Sequence, residues 1–247
     1  MPGENRTVLI SGGTKGVGRA VAEHLAALGY NLVLSYSSDD AAAEETRAAI
    51  ATRSRECLIV KGDTRHRASV EALFAAAKDH FGPIYAVIAN AGVENVEAPF
   101  ADMAEDELDR VVDINFKGTF FTLQQAARTV VNGGRVIATA STIASYPPAG
   151  SGAYAATKAA VRLMIEVLSL ELGPRGITVN SLDPGPVEGA GIFTRMTNEV
   201  RESFYQQSPM GRVPRPSDLV GAVTFLLSNE AAMVSGHHLA VTGGFRI

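Results

Sequence analysis

The sequence predicts an α/β fold, a single doubly wound parallel sheet of about seven strands with helices on both faces. Three observations carry this. Short apolar runs alternate with segments of helical periodicity along the whole chain, as successive βα units do. A glycine-rich turn joins the first strand to the first helix. The chain has 247 residues, 46% hydrophobic and 19% charged, which suits one well-buried domain over 1–247 and argues against disorder.

The elements follow in order. Strand-like runs lie near 7–10, 31–35, 57–61, 84–89, 134–139, 177–182 and 238–241. Helical patterns fill the intervals, at about 17–28, 41–53, 67–80, 105–131, 153–172 and 216–228. The first helix is marked by Val17, Val21 and Leu25, with Ala20 and Leu28 on the same side. Asp39 and Asp40 precede the second helix and read as its cap. The segment 186–212 is the least regular, with Gly189, Gly191, Phe193, Met196, Phe204, Tyr205 and Met210 among polar residues. Gly12, Asp63, Asn90, Ser141 and Pro184 each follow a predicted strand. In an open parallel sheet they gather on one edge, where ligands bind.

The first turn reads Ser11-Gly12-Gly13-Thr14-Lys15-Gly16-Val17-Gly18. A glycine turn between a strand and a helix is the setting a dinucleotide fingerprint requires. Gly12 permits the tight turn, Gly16 lets backbone approach a pyrophosphate, and Gly18 lets the helix pack close. The helix N-terminus offers free N–H donors to phosphate. Thr14, Lys15 and Val17 belong to the same candidate cofactor site.

Tyr154 and Lys158 stand four residues apart in a predicted helix, so they share one face. An ammonium beside a phenol lowers the phenol's pKa and suits it to proton exchange with a carbonyl or alcohol. Ser141, on a separate loop, supplies a hydroxyl for the same substrate oxygen. Asn115 is unfavourable inside a helix unless its side chain has a task.

Ser11-Gly12-xxx-Gly16-x-Gly18, Asn90-Ala91-Gly92, Asn115, Ser141, Tyr154-xxx-Lys158 and Pro184-Gly185 occur in the order and spacing of the short-chain dehydrogenase/reductase family. The sequence resembles that family from Arg6 to Gly244, most closely its 3-oxoacyl-carrier-protein reductase and ketoreductase group. The resemblance implies a Rossmann-like fold and an oxidoreductase acting on CH–OH and C=O groups. It implies that Tyr154 is the general acid in reduction, with Lys158 lowering its pKa and binding the nicotinamide ribose. Ser141 would hold the carbonyl oxygen, and Asn115 would anchor a water relay to Lys158. Asn90, Ala91 and Gly92 would line the cofactor, Asp63 would meet the adenine, and Pro184, Gly185 and Val187 would flank the nicotinamide. Residues 186–212 would form a substrate-side lid, the alternative being an ordinary surface connection with one short helix, and Tyr146, Pro147, Pro148, Val93 and Glu94 would shape the pocket. The chain departs from the family pattern at Ala89, where a second asparagine is frequent, and at Gly189, where a threonine commonly contacts the carboxamide.

The resemblance also bears on which nicotinamide cofactor is used. NAD-preferring relatives end the second strand with an acidic residue; here Tyr36 stands there, followed by Ser37 and Ser38, with Lys15 nearby. These residues favour NADP(H). The implied activity is an NADPH-dependent ketoreductase giving a secondary alcohol. The alternatives are an NAD(P)-dependent alcohol dehydrogenase on a sugar, steroid or cyclic alcohol, or a nucleotide-binding protein without turnover. The substrate would be a small-molecule carbonyl compound. Relatives of this size imply a homo-oligomer, a tetramer built on the helices at 105–131 and 153–172 and on the C-terminal segment.

The remaining features argue against other classes. A formal charge of −4 leaves no basic footprint for nucleic acid. No apolar segment is long enough for a membrane and no signal peptide is evident, so a cytoplasmic location is expected. The one cysteine, Cys57, excludes an internal disulfide and reads as a buried structural thiol. No Cys, His and carboxylate spacing suggests a metal site, and His237 and His238 are adjacent, on opposite faces of a strand.

Overall fold

The computed structural model describes residues 5–52, 56–95 and 98–245. Of the predicted elements, only position 53 falls outside them. Seven strands form one sheet among the described residues. They are β1 (Thr7–Ser11), β2 (Asn31–Tyr36), β3 (Cys57–Lys61), β4 (Ile84–Ala89), β5 (Val130–Thr139), β6 (Thr178–Pro184) and β7 (His238–Val241). The spatial order is β3-β2-β1-β4-β5-β6-β7, and every neighbouring pair is parallel. The order reverses between β1 and β4, which opens the crevice at their carboxyl ends.

The sheet is buried on both faces, which is why its strands read as continuous apolar runs. Alternation within β1 shows how the faces divide. Leu9 joins Val33, Val87, Val136 and Val179 on one face. There they meet α3 (Arg67–Phe81), α5 (Thr119–Thr129) and α6 (Gly152–Leu172) through Phe74, Leu123, Val161 and Ile165. Val8 and Ile10 join Leu32, Leu34, Ile88 and Ile137 on the other face. Here they meet α1 (Gly16–Ala27), α2 (Asp40–Ala51) and α8 (Pro216–Leu227) through Val21, Leu25, Ile50, Leu219 and Val223. Each such side chain taken fully from water contributes roughly 1.5–3 kcal/mol before entropy is counted.

Three segments differ from the sequence-based expectation. The helix predicted over 105–131 is interrupted. α4 (Glu105–Val111) runs into a π-helical turn (Val112–Gly118) and then α5. The strand predicted at 134–139 begins earlier, at Val130, so the predicted helix end is corrected to Thr129. Val130 pairs with Ile84, and a register shift before Ala86 absorbs the Gly133-Gly134 irregularity. Within 186–212, Asn198–Gln207 forms a helix, α7, capped by the Thr197 hydroxyl accepting from Val200 N–H. Cys57, expected to be buried, is only partly so, and that burial pushes its thiol up to about 12, which keeps it protonated.

Candidate active site

The carboxyl edge of the sheet carries a cleft of about 1130 Å³. Every sequence-predicted cofactor residue lines it except Gly18, and so do Ser141, Tyr154 and Lys158. Gly18 and Asn115 lie behind its wall and shape it.

The glycine turn is locked to the neighbouring strand. Asn90 Nδ2 donates to the carbonyl of Gly12 at 3.0 Å and to that of Ser11 at 3.3 Å. Ser11 Oγ accepts from Asn90 N–H at 3.0 Å and from Ala91 N–H at 3.1 Å. Gly12 has a φ of +63°, in the left-handed region, and a Cβ there would lie 3.0 Å from Ala91 Cα. A Cβ on Gly18 would lie only 2.2 Å from the Gly12 carbonyl oxygen, so α1 packs directly on the turn. Lys15 is the N-cap residue of α1, yet its side chain caps nothing. The first-turn N–H groups therefore face the cleft without a side-chain acceptor, and a phosphate fits there. Thr14 is buried beside them, with its carbonyl accepting from Thr46 Oγ1 at 3.1 Å. Together the turn, the bare helix end and the cleft fit a dinucleotide.

The far end of the first strand pair offers a polar rim. Tyr36 Oη donates to Asp40 Oδ1 at 2.7 Å, and Lys61 Nζ donates to the same carboxylate at 2.9 Å. Ser37 and Ser38 are exposed. Lys15 forms an ion pair with Asp39, which also caps α2 by accepting from Ala42 N–H at 2.9 Å. Asp63 is held by Arg65, from the backbone N–H at 2.9 Å and the guanidinium at 2.6 Å, and Arg65 keeps its carboxyl below the usual range.

Ser141, Tyr154, Lys158 and Asn115 converge at the other end. Tyr154 and Lys158 share one face of α6 and are buried, at 7% and 5% exposure. Ser141 follows β5 and caps the short turn Thr142–Ala144, with its Oγ accepting from Ile143 N–H at 3.3 Å. The same Oγ donates to the Pro184 carbonyl at 3.3 Å, tying the turn to the end of β6. Ser141 lies close enough to Tyr154 to favour its phenolate.

Asn115 sits in the π-helical turn and is fully buried. Its Oδ1 accepts from Val93 N–H at 2.8 Å, and its Nδ2 donates to the Val93 carbonyl at 2.8 Å and to Thr157 Oγ1 at 3.3 Å. The side chain is thus committed to holding the β4 loop against α6. A Cβ on Gly92 would lie 3.3 Å from Asn115 Oδ1 and 3.4 Å from Lys158 Nζ, so both groups meet at this glycine.

One electrostatic expectation is corrected. The sequence suggests that Lys158 lowers the Tyr154 pKa. In this geometry Lys158 Nζ donates to the Thr139 carbonyl at 2.8 Å and lies 5.7 Å from the Tyr154 ring centroid. Burial and the Glu94 carboxylate instead push the phenol up, and the nearby Ser141 hydroxyl pulls it back. Burial brings the Lys158 ammonium down to about 8, while Glu94 and Asp183 oppose that shift. Burial also raises Glu94 itself, against the Ile192 N–H donated to it and the charges of Lys158 and Arg195.

The sequence marks Glu94 only as a wall residue; its carboxylate accepts from Ile192 N–H and joins that wall to the irregular segment. Thr139 carries no sequence signal. Its carbonyl holds Lys158, and its hydroxyl donates to Asn90 Oδ1 at 3.1 Å. Pro184, Gly185 and Val187 also line the cleft.

Comparison with known proteins agrees with this geometry. The family described as enoyl-(acyl carrier protein) reductase matches residues 12–246. A short-chain type dehydrogenase/reductase of Picea abies is 34% identical, over 97% of this chain and 92% of its own. An NADPH-dependent aldehyde reductase-like chloroplastic protein of Arabidopsis thaliana is 33% identical, over 99% of this chain and 96% of its own. The solved short-chain dehydrogenase/reductase of Serratia marcescens superposes with a TM-score of 0.93 at 30% identity, covering 100% of both chains. With its seven-stranded parallel sheet and its nicotinamide-type cleft, the chain belongs to the short-chain dehydrogenase/reductase family, oxidoreductases of carbonyl and alcohol groups.

Proposed function

We propose that the protein is an NADPH-dependent ketoreductase that forms a secondary alcohol from a small carbonyl compound. The observation that carries this is the meeting of Ser141, Tyr154 and Lys158 in the same cleft as the bare N-terminus of α1. A bound nicotinamide supplies hydride; the chain orients the partners and manages charge and proton. Ser141 Oγ and Tyr154 Oη hold the carbonyl oxygen, and Tyr154 gives it the proton as the alcohol forms. Lys158 offers a cation to the ribose, and Asn115 fixes the loop that Lys158 packs on. Phe193 is buried in ring contacts with Phe204 and Tyr205 of α7. This cluster, joined to Glu94 through Ile192, serves as the substrate-side lid over 186–212 and excludes water. Exposed apolar residues on the outer faces of the π-helical turn, α5 and α6, Phe116, Phe120, Leu163 and Val167, support a homotetramer built on those helices.

NADP(H) is favoured because Tyr36 ends β2 where an acidic residue would favour NAD, Ser37 and Ser38 follow it, and Lys15, paired with Asp39, lines the same cleft. The Arabidopsis relative named as NADPH-dependent supports the same choice. NADPH oxidation over a ketone panel tests the activity; turnover of none would refute it. Lys15→Glu should raise the NADPH KM by about 10-fold or more, since a charged hydrogen bond contributes on the order of 1.5–3 kcal/mol. The NADH KM should stay nearly constant, and equal effects on both would reject the assignment.

The pKa pattern sets a pH dependence. With Lys158 held at about 8, its cation is present below that pH and lost above it. The reduction rate should therefore fall as pH rises through about 8. Glu94→Gln removes the charge that favours the Lys158 cation and raises the Tyr154 phenol, so the descending limb should move toward acid. A kcat/KM profile for both proteins reads the shift; a limb that stays put or moves to alkali contradicts these field assignments.

A further inference from the structure

α6 carries more than Tyr154 and Lys158 on the stripe they share. Arg162 and Glu166 continue the same four-residue spacing, on the same face. Arg162 Nε donates to Asp183 Oδ2 at 2.5 Å, and Asp183 is 0% exposed. The other arms of the guanidinium reach the turn after β5. Nη2 donates to the Ser141 carbonyl at 3.2 Å, and Nη1 donates to Ser145 Oγ. One planar cation therefore grips both ends of the turn that presents Ser141. Asp183 immediately precedes Pro184, whose carbonyl accepts from Ser141 Oγ. Behind it, Ser181 Oγ donates to Asp183 Oδ1 at 2.5 Å and contacts His238 Nδ1 at 2.8 Å. His238 Nε2 meets Glu166 Oε1 at 2.9 Å, which returns the network to α6.

A buried ion pair stabilises a fold weakly, because desolvation offsets the attraction. Its geometry here is specific: the fork spans α6, the end of β6 and the Ser141 turn at once. A lysine at 162 would keep the charge opposite Asp183 but could not hold all three in one plane. We propose that Arg162, anchored by Asp183, is a positioning residue that fixes the Ser141 hydroxyl toward the reacting carbonyl oxygen. The proposal rests on the ketoreductase reading above, in which Ser141 holds that oxygen.

The test is a two-by-two set: wild type, Arg162→Lys, Ser141→Ala and the double variant. Each is assayed with NADPH and whichever of ethyl acetoacetate, cyclohexanone and glyceraldehyde the wild type reduces fastest. Arg162→Lys should lower kcat by about 10-fold while the NADPH Kd, read by fluorescence, stays within about 2-fold. In the Ser141→Ala background the same change should cost less than about 2-fold, because the group it positions is gone. Equal losses in both backgrounds, or an Arg162→Lys enzyme with wild-type kcat, would overturn the positioning role and leave the ketoreductase reading intact. A Ser141→Ala enzyme with unchanged kcat would overturn both. Should Arg162→Lys fold poorly, Arg162→Met with Asp183→Ala removes both charges together and strands neither; it should show the same dependence on Ser141.

Discussion

Tyr154→Phe lowers kcat by about 10²–10⁴-fold, the range a positioned general acid supplies, and leaves NADPH binding close to wild type. The ring is buried against Ile143 and Ala155, and phenylalanine keeps that packing. The lost hydroxyl strands no neighbour: Ser141 Oγ still donates to Pro184 and still accepts from Ile143 N–H. The fold therefore survives, and any loss of rate reports chemistry. Steady-state kinetics beside a cofactor titration separates the two. An enzyme that retained most of its kcat would remove the phenol from the proton transfer.

Gly18→Ala is expected to damage both stability and cofactor binding. The added Cβ would sit 2.2 Å from the Gly12 carbonyl oxygen and 2.7 Å from Asn90 Nδ2. Neither is the loose end of a flexible side chain. The oxygen is backbone, and the amide is tied to Ser11, Gly12 and Thr139. Relief requires α1 to withdraw from the turn, at a cost of about 1–3 kcal/mol, which lowers Tm by several degrees in a chain of this size. The same withdrawal moves the N–H groups proposed to bind phosphate, so the NADPH Kd should rise by about 10-fold or more. Gly221→Ala is the control. It lies in α8, where an added methyl would meet nothing within 4 Å, and should be neutral or stabilising by about 0.4–1 kcal/mol. Equal behaviour of the two variants in thermal unfolding and cofactor titration would disprove the close-approach argument.

Much of the fold and site is legible in the sequence, for a physical reason. A sheet covered on both faces demands apolar side chains at consecutive positions, so β1, β2 and β4 announce themselves. Gly12, Asn90, Ser141 and Pro184 are readable as a cluster because each follows a strand of one parallel sheet. The end of α5 is not readable. Val130 and Val131 extend an apolar pattern that serves a helix or a strand equally well, and only pairing with β4 decides. The π-helical turn is a change of hydrogen-bond register, which leaves no periodic trace over seven residues. α7 is polar on most of its surface and buries none of its residues, so only Val200, Phe204 and Tyr205 mark it as a helix in the sequence. The Arg162–Asp183 pair joins residues from separate elements, though the stripe through 154, 158, 162 and 166 is visible. The direction of the Tyr154 pKa shift is hidden because spacing records proximity and omits desolvation and the opposing field of Glu94.

The strand order carries a kinetic consequence. Thr7 must find Ile84 across a long stretch of chain before β1 has its second neighbour, and β6 must then find β7. Contacts of such sequence separation make for slow folding. The cleft draws on residues from Gly12 to Arg195, so no early-forming fragment contains a complete dinucleotide site. A dinucleotide that binds the assembled cleft and not the unfolded chain therefore stabilises the whole fold by mass action.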